Sequence, residues 1–132
     1  MKTVRRPLAG TLAALALAFA VTPAYSLGRP PAITVADQSI KNNSVNVDSA
    51  SVDKPGYLVV HLADPNGKII GALAVPAGEH KNLAVPLTLQ VVPGTQLIVM
   101  QHDESDGDTK FDANDKPALV NGAPVTGSLI VK

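Results

Sequence analysis

The sequence predicts an all-β fold, a single antiparallel β-sandwich of about seven strands, immunoglobulin-like or cupredoxin-like in type. Three observations support this prediction. Short runs rich in valine, isoleucine and leucine recur along the chain, turn residues separate these runs at roughly ten-residue intervals, and no ten-residue stretch has helical periodicity. We therefore expect one domain, which extends from residue 33 to residue 132.

The first 26 residues have the pattern of a cleaved export signal. Three basic residues precede an apolar run over positions 8–21, and the small residues Ala24 and Ser26 fit a cleavage site after Ser26. The apolar run is shorter than the roughly 20 residues that a spanning helix needs. We expect an exported protein, periplasmic or secreted, without membrane insertion after cleavage. A Pro-rich spacer over residues 27–32 then leads into the domain.

The first four predicted strands are short and separated by turn residues. Ile33 to Ala36 is the first strand, and Ser44 to Asp48 is a second strand in which apolar and polar residues alternate. Tyr57 to Ala63 and Ile69 to Val75 flank a turn that contains Asn66-Gly67. Asn-Gly favours a tight hairpin because both residues tolerate positive φ.

Three further strands complete the predicted sandwich. After a turn at Pro76 to Glu79, the segment Asn82 to Gln90 alternates and contains Pro86, which lacks an amide donor and therefore belongs at a sheet edge or a bulge. Gln96 to Gln101 is apolar on both faces, which predicts a central strand. Val125 to Val131 closes the domain.

Composition excludes several classes of function. The chain has no cysteine, so an exported domain of this size must be stabilised by packing or by a metal ion. After residue 26 there are 8 Lys and Arg against 11 Asp and Glu, and the net charge of −3 argues against nucleic-acid binding. There is no Gly-x-Ser-x-Gly motif, and the only paired carboxylates lie in one acidic loop. We therefore expect a protein that is not an enzyme.

The acidic loop from Glu104 to Asp115 resembles a twelve-residue calcium loop. Oxygen-bearing side chains stand at positions 1, 3, 5, 9 and 12, and the position-7 carbonyl adds one oxygen, which gives the ligand set Glu104, Asp106, Asp108, Lys110, Asp112 and Asp115. Thr109 replaces the usual glycine at position 6, so we expect weak affinity, about 10⁻⁴ to 10⁻³ M, and a stabilising role. The alternative is a solvated acidic loop without a metal.

Three histidines and one methionine form a second candidate metal site, namely His61, His80, Met100 and His102. Met100 precedes His102 by two residues and so shares its face of the strand, and imidazole and thioether groups suit copper. A blue-copper site would need a cysteine thiolate, which the chain lacks. The alternative is that each residue has a structural role, with Met100 in the core and His80 in a turn.

A succession of short motifs runs through the chain after the signal: Asp37-Gln38, Tyr57-Leu58-Val59-Val60-His61, Gly78-Glu79-His80, Leu97 to His102, Asp106-Gly107-Asp108, Phe111-Asp112 and Asn121-Gly122-Ala123-Pro124-Val125. This succession resembles a domain of unknown function that recurs in secreted and surface-anchored proteins of haloarchaea and some bacteria. The resemblance implies an exported β-sandwich, often one module of a larger surface protein, with no established activity.

Taken together, these patterns predict a non-catalytic exported module that acts by interaction with another envelope or extracellular protein, with Ca²⁺ stabilising its acidic loop. The alternative function is a periplasmic protein that binds copper or another transition metal through its histidine and methionine side chains.

Overall fold

The computed structural model describes residues 30–64, 67–107, 110–112 and 115–132, so the predicted export signal and the turn residue Asn66 lie outside the described residues. Across these ranges the chain forms nine strands: β1 Ala32–Thr34, β2 Ser44–Val52, β3 Gly56–Leu62, β4 Ile69–Val75, β5 Gly78–Pro86, β6 Gln96–Asp103, β7 Leu119–Val120, β8 Ala123–Pro124 and β9 Thr126–Ile130. The same residues contain no helix that is long and apolar enough to span a bilayer.

Seven of these strands form two antiparallel sheets, one in the order β1-β2-β5 and one in the order β4-β3-β6-β9. The strands β7 and β8 form a separate small hairpin. The predicted all-β antiparallel sandwich is therefore confirmed. β3 and β4 pair across the turn that contains Gly67, as the Asn-Gly dipeptide predicts.

The core lies between the inner faces of the two sheets. Alternate residues of the longer strands point inward. Those whose side chains have no solvent exposure include Val45, Val47, Leu58, Val60, Val85, Leu97 and Val99. Burial of each such side chain contributes roughly 1.5 to 3 kcal/mol relative to its exposed state. This apolar layer therefore accounts for the stability of a domain that has no disulfide bond.

The strand β6 is central, as its two apolar faces predict, because it pairs with β3 on one side and β9 on the other. Its neighbour β3 is also shielded on both faces. Tyr57 and Val59 point away from the core, yet their exposed fractions are 3% and 0%. The outer face of the four-stranded sheet is thus covered along β3, whereas Thr126, Ser128 and Ile130 on β9 are exposed.

The strand β5 begins and ends earlier than predicted. It starts at Gly78, where φ is 123°, so the predicted turn at Pro76 to Glu79 is shorter than expected. It ends at Pro86, which has no amide to continue the ladder, and the chain then crosses to β4 through a bridge between Leu87 and Gly71. A Cβ atom at Gly71 would lie 2.5 Å from the Pro86 carbonyl oxygen, so only glycine fits at this crossing. Pro86 lies on an edge strand, as predicted.

The first and last described segments lie side by side and run parallel, joined by a bridge between Gln38 and Val131. The Gln38 amide donates to the Ile130 carbonyl at 3.2 Å, and the Lys132 amide donates to the Gln38 carbonyl at 2.8 Å. The Ile130 amide also donates to the Asp37 carboxylate at 2.8 Å. Three hydrogen bonds therefore join the two ends of the domain.

Candidate functional site

The acidic loop is anchored at the end of β6. The Asp103 amide donates to the Lys116 carbonyl at 2.8 Å, and the Ala118 amide donates to the Gln101 carbonyl at 2.9 Å. An antiparallel bridge between His102 and Pro117 lies between these two contacts. The chain therefore leaves β6, forms the loop and returns to pair with the same strand, which fixes both ends of the loop.

Glu104 lies at the start of the loop and organises its first turn. Its carboxylate accepts hydrogen bonds from the amides of Asp106 and Gly107 at 3.0 and 2.6 Å. The Tyr57 hydroxyl donates to the other carboxylate oxygen of Glu104. Gly107 has a φ of 80°, which lets the backbone turn back toward the carboxylate. Glu104 therefore connects the loop to the outer face of β3.

Asp115, at the far end of the loop, is buried with an exposed fraction of 3%. Its two carboxylate oxygens accept hydrogen bonds from the Ser105 amide at 3.1 Å and from the Asp112 amide at 2.8 Å. Buried carboxylates need such donors because desolvation of an unpaired charge is costly. Asp115 thus holds the beginning and the middle of the loop around one side chain.

Of the six predicted calcium ligands, the structure brings three together. One carboxylate oxygen each from Glu104, Asp106 and Asp115 lies within 4.8 Å of the others. Asp112 contributes its amide to Asp115, and in the described part of the chain its carboxylate does not belong to this group. Lys110 is exposed on the same loop, and Asp108 lies outside the described residues. We call Glu104, Asp106 and Asp115 the carboxylate cluster.

The predicted histidine site divides between the two sheets. His80 lies on β5, and its Nε2 atom is 2.8 Å from the Pro76 carbonyl oxygen. His61 and His102 both lie on the outer face of the four-stranded sheet, with ring centroids 5.9 Å apart and planes inclined by 21°. Met100 is on the same face, in register with Val59. The structure therefore brings together His61 and His102 but not His80.

Two aromatic residues pack beside these histidines on the outer face, and sequence reasoning did not assign either of them to a site. The Phe111 ring packs edge-on against Tyr57 at a centroid distance of 5.6 Å and against His102 at 4.9 Å. Tyr57 and Phe111 are the only aromatic residues after the predicted cleavage site. That scarcity, together with the placement of Tyr57 on the same face as His61, is the sequence signal that could have revealed the pair.

The environment of His102 favours its neutral form. Burial lowers the pKa of His102 below its usual value, because desolvation disfavours the charged imidazolium, and the nearby His61 lowers it further. The hydrogen bond to the Asp115 carbonyl and the charges of Asp115 and Asp103 oppose this shift only in part. A neutral imidazole at this position can act as a hydrogen-bond acceptor or a metal ligand.

Comparison with known proteins gives a family and two relatives. A family model described as "Domain of unknown function (DUF7282)" matches residues 31–132. Proteins named "Cell surface glycoprotein 2" and "Cell surface glycoprotein 1", both from Haloarcula hispanica, are 27% and 26% identical to the chain over 99 residues. Each match covers 73% of this chain but 11% of the relative. No solved structure matches the chain. The resemblance that the sequence motifs indicated is thereby confirmed.

Proposed function

Because the chain belongs to the DUF7282 family of domains of unknown function, we propose that it is an exported, non-catalytic β-sandwich module that acts through contact with another envelope or extracellular protein. The observation that carries this proposal is the similarity to two proteins named cell surface glycoproteins, in which the matched region is 11% of the length. A region of this size within a long surface protein is what a repeatable structural module would occupy.

A non-catalytic role agrees with how the polar groups of the site are used. The carboxylates of Glu104 and Asp115 each accept backbone amides, and the His102 Nδ1 atom is bonded to the Asp115 carbonyl. Groups that hold a fold together in this way are constrained in position. We infer that the loop serves to close the outer face of the sheet.

Export is the part of this proposal that a single experiment can test. The full chain, produced in a host with a secretory pathway, is expected outside the cytoplasm with an N-terminus at Leu27, as measured by cell fractionation and intact mass. The matched control carries Leu15→Arg and Leu17→Arg within the apolar run and should stay in the cytoplasm at full length. Retention of the unmodified chain in the cytoplasm at full length would contradict the proposal.

We further propose that the carboxylate cluster binds Ca²⁺ and that the ion stabilises the loop. Three carboxylates within 4.8 Å repel one another, and a divalent cation removes this repulsion. The amides bonded to Glu104 and Asp115 are compatible with this role, because carboxylates that bind metal ions are themselves usually hydrogen-bonded.

A substitution at Asp106 tests calcium binding separately from the structural role of the loop. Asp106 is exposed, whereas Asp115 is buried and its replacement would disturb the fold. Calcium at ten to a hundred times its dissociation constant should stabilise the exported protein by about 1.4 to 2.7 kcal/mol, a rise in Tm on the order of 10 °C that EDTA reverses. Asp106→Asn should abolish this rise, and its Tm in EDTA should equal or exceed that of the unmodified protein, because one of three mutually repelling charges is removed.

The control for this measurement is Asp53→Asn, which removes an exposed carboxylate from a turn outside the loop. It should keep the full response to calcium. An equal response in Asp106→Asn and Asp53→Asn, or no response in the unmodified protein, would contradict calcium binding at the carboxylate cluster.

A further inference from the structure

The two histidines on the outer face have the same hydrogen-bonding arrangement. His61 Nδ1 lies 2.9 Å from the Gly67 carbonyl oxygen, and His102 Nδ1 lies 2.9 Å from the Asp115 carbonyl oxygen. A carbonyl oxygen only accepts hydrogen bonds, so each Nδ1 carries the proton. In the neutral state of both rings, the free electron pair is therefore on Nε2.

Neither Nε2 atom has a hydrogen-bond partner in the described part of the chain, although both atoms are buried. The exposed fraction of His102 as a whole is 8%. A buried acceptor without a partner loses the hydrogen bonds that water would give it, and two such acceptors lie in neighbouring rings. A metal ion that accepts an electron pair from each Nε2 atom would give both atoms a partner.

The separation of the rings fits a shared ion. With metal–nitrogen bonds of about 2.0 Å, two imidazoles that share one ion have centroids about 5.5 Å apart at a trigonal N–metal–N angle and about 6.3 Å apart at a linear one. The observed centroid distance is 5.9 Å. In the β3–β6 register, His102 pairs with Tyr57 and His61 pairs with Ile98, so the pair Val59 and Met100 lies between the two histidines. Met100 thus presents its side chain on the face that the two rings cover.

We propose that His61 and His102 bind one copper(I) ion through their Nε2 atoms, with the Met100 thioether as a third donor. All three donors are neutral, and thioether groups select soft ions such as copper(I). Zinc takes thiolate, imidazole and carboxylate ligands rather than a thioether. Among the described residues, the carboxylate cluster is the one place where three acidic or histidine side chains come within metal-binding distance of one another. Neither His61 nor His102 belongs to it, so the copper site and the carboxylate cluster have no ligand in common.

The Nδ1 atoms of His61 and His102 each contact a backbone carbonyl, which is the supporting hydrogen bond that metal-binding histidines usually have. A ligating imidazole almost always donates its other N–H to a carbonyl or carboxylate, which fixes the ring and its tautomer. Here the Gly67 carbonyl holds the ring on β3, and the Asp115 carbonyl holds the ring on β6. His80 lacks this arrangement, because its Nε2 atom is the one bonded to a carbonyl. His80 is therefore a matched negative control.

The first test is a titration of the exported protein with copper(I) under ascorbate, and with silver(I) as a redox-inert probe. One ion should bind per chain. His61→Phe keeps an aromatic ring but removes the nitrogen, and it should weaken binding by at least about 100-fold, because even outer-sphere partners contribute 10- to 100-fold. Met100→Leu should weaken binding less, by about 10-fold, and His80→Gln should leave it unchanged.

A second readout does not depend on any variant remaining folded. In the unmodified protein, silver(I) should shift the ¹⁵N resonances of Nε2 in His61 and His102 together, and the His80 resonances should not move. Unmoved Nε2 resonances would overturn the proposal. Equal affinity in His61→Phe and the unmodified protein would overturn it as well. His61→Phe should keep the full rise in Tm with calcium, because the carboxylate cluster does not include His61. This response distinguishes the two metal proposals.

Discussion

The inner face of the four-stranded sheet and the covered part of its outer face, along β3 and β6, are shielded from solvent by different means. The inner face packs against the apolar side chains of the other sheet, among them Val47 and Val85. The outer face is covered by two histidines, two aromatic rings and a loop whose shape depends on Glu104 and Asp115. The apolar side chains of the inner face carry no titratable group, whereas the outer face includes His102, whose lowered pKa makes the stability depend on pH.

The largest expected effect comes from the inner face. Leu97→Ala removes a side chain with no solvent exposure and should lower the free energy of unfolding by about 2 to 5 kcal/mol, because it leaves a cavity in a packed core. Urea unfolding measures this change. The control Leu119→Ala, at a side chain with an exposed fraction of 59%, should change stability by less than about 0.5 kcal/mol. Similar losses in the two variants would refute the assignment of the core.

The next effect concerns the loop. Asp115→Ala leaves the Ser105 and Asp112 amides without their acceptor and should cost about 1 to 3 kcal/mol. Native-state hydrogen exchange should show faster exchange at these two amides than at Val99 in the central strand, because the loop opens without the core. Uniform acceleration throughout the domain would mean instead that the two faces unfold as one unit.

A smaller effect is expected where the loop meets the sheet. Tyr57→Phe removes the hydroxyl that donates to Glu104 and keeps the ring against Phe111, so the loss should be about 1 kcal/mol. A double-mutant cycle with Glu104→Gln measures the coupling between the two groups. Strict additivity of the two single changes would show that this hydrogen bond does not stabilise the loop.

The smallest effect is a dependence on pH. The pKa of His102 is lowered in the folded protein, so the unfolded chain binds more protons as the pH falls below about 6.5. His102 therefore makes the protein less stable as the pH falls through this value toward the lower pKa of the folded state. His102→Phe should flatten the slope of Tm against pH between 7 and 5, and His80→Gln should keep it. Identical slopes in both variants would exclude this contribution.

The strands could be predicted because their signals are local. The alternation of Val45 and Val47 with polar neighbours and the apolar run of β6 identified these elements before any pairing was known. Asn121-Gly122 carried the same hairpin signal as Asn66-Gly67, and both of its residues have positive φ, 53° and 82°, in the turn between β7 and β8. We did not assign that hairpin from the sequence.

The arrangement of the site could be predicted only in part, because it depends on contacts between residues that are far apart in the chain. The spacing of the acidic loop identified Glu104, Asp106 and Asp115, whose carboxylates do converge. No local pattern indicates that Asp115 binds two backbone amides or that Phe111 covers His102. The approach of His61 to His102 follows from the β3–β6 register, which pairs residues about 40 positions apart.

The parallel contact between Gln38 and Val131 has a mechanical consequence. Ala32 lies near Gln101 at one end of β6, whereas the Val131 amide bonds to the Thr95 carbonyl at the other end. A force that pulls the two termini apart therefore acts along the strands and loads the three hydrogen bonds of this contact simultaneously, in shear. Bonds loaded in shear must break together, whereas a hairpin pulled open at its end loses them one at a time. A domain pulled at these two ends would therefore resist extension at this contact before its core was strained.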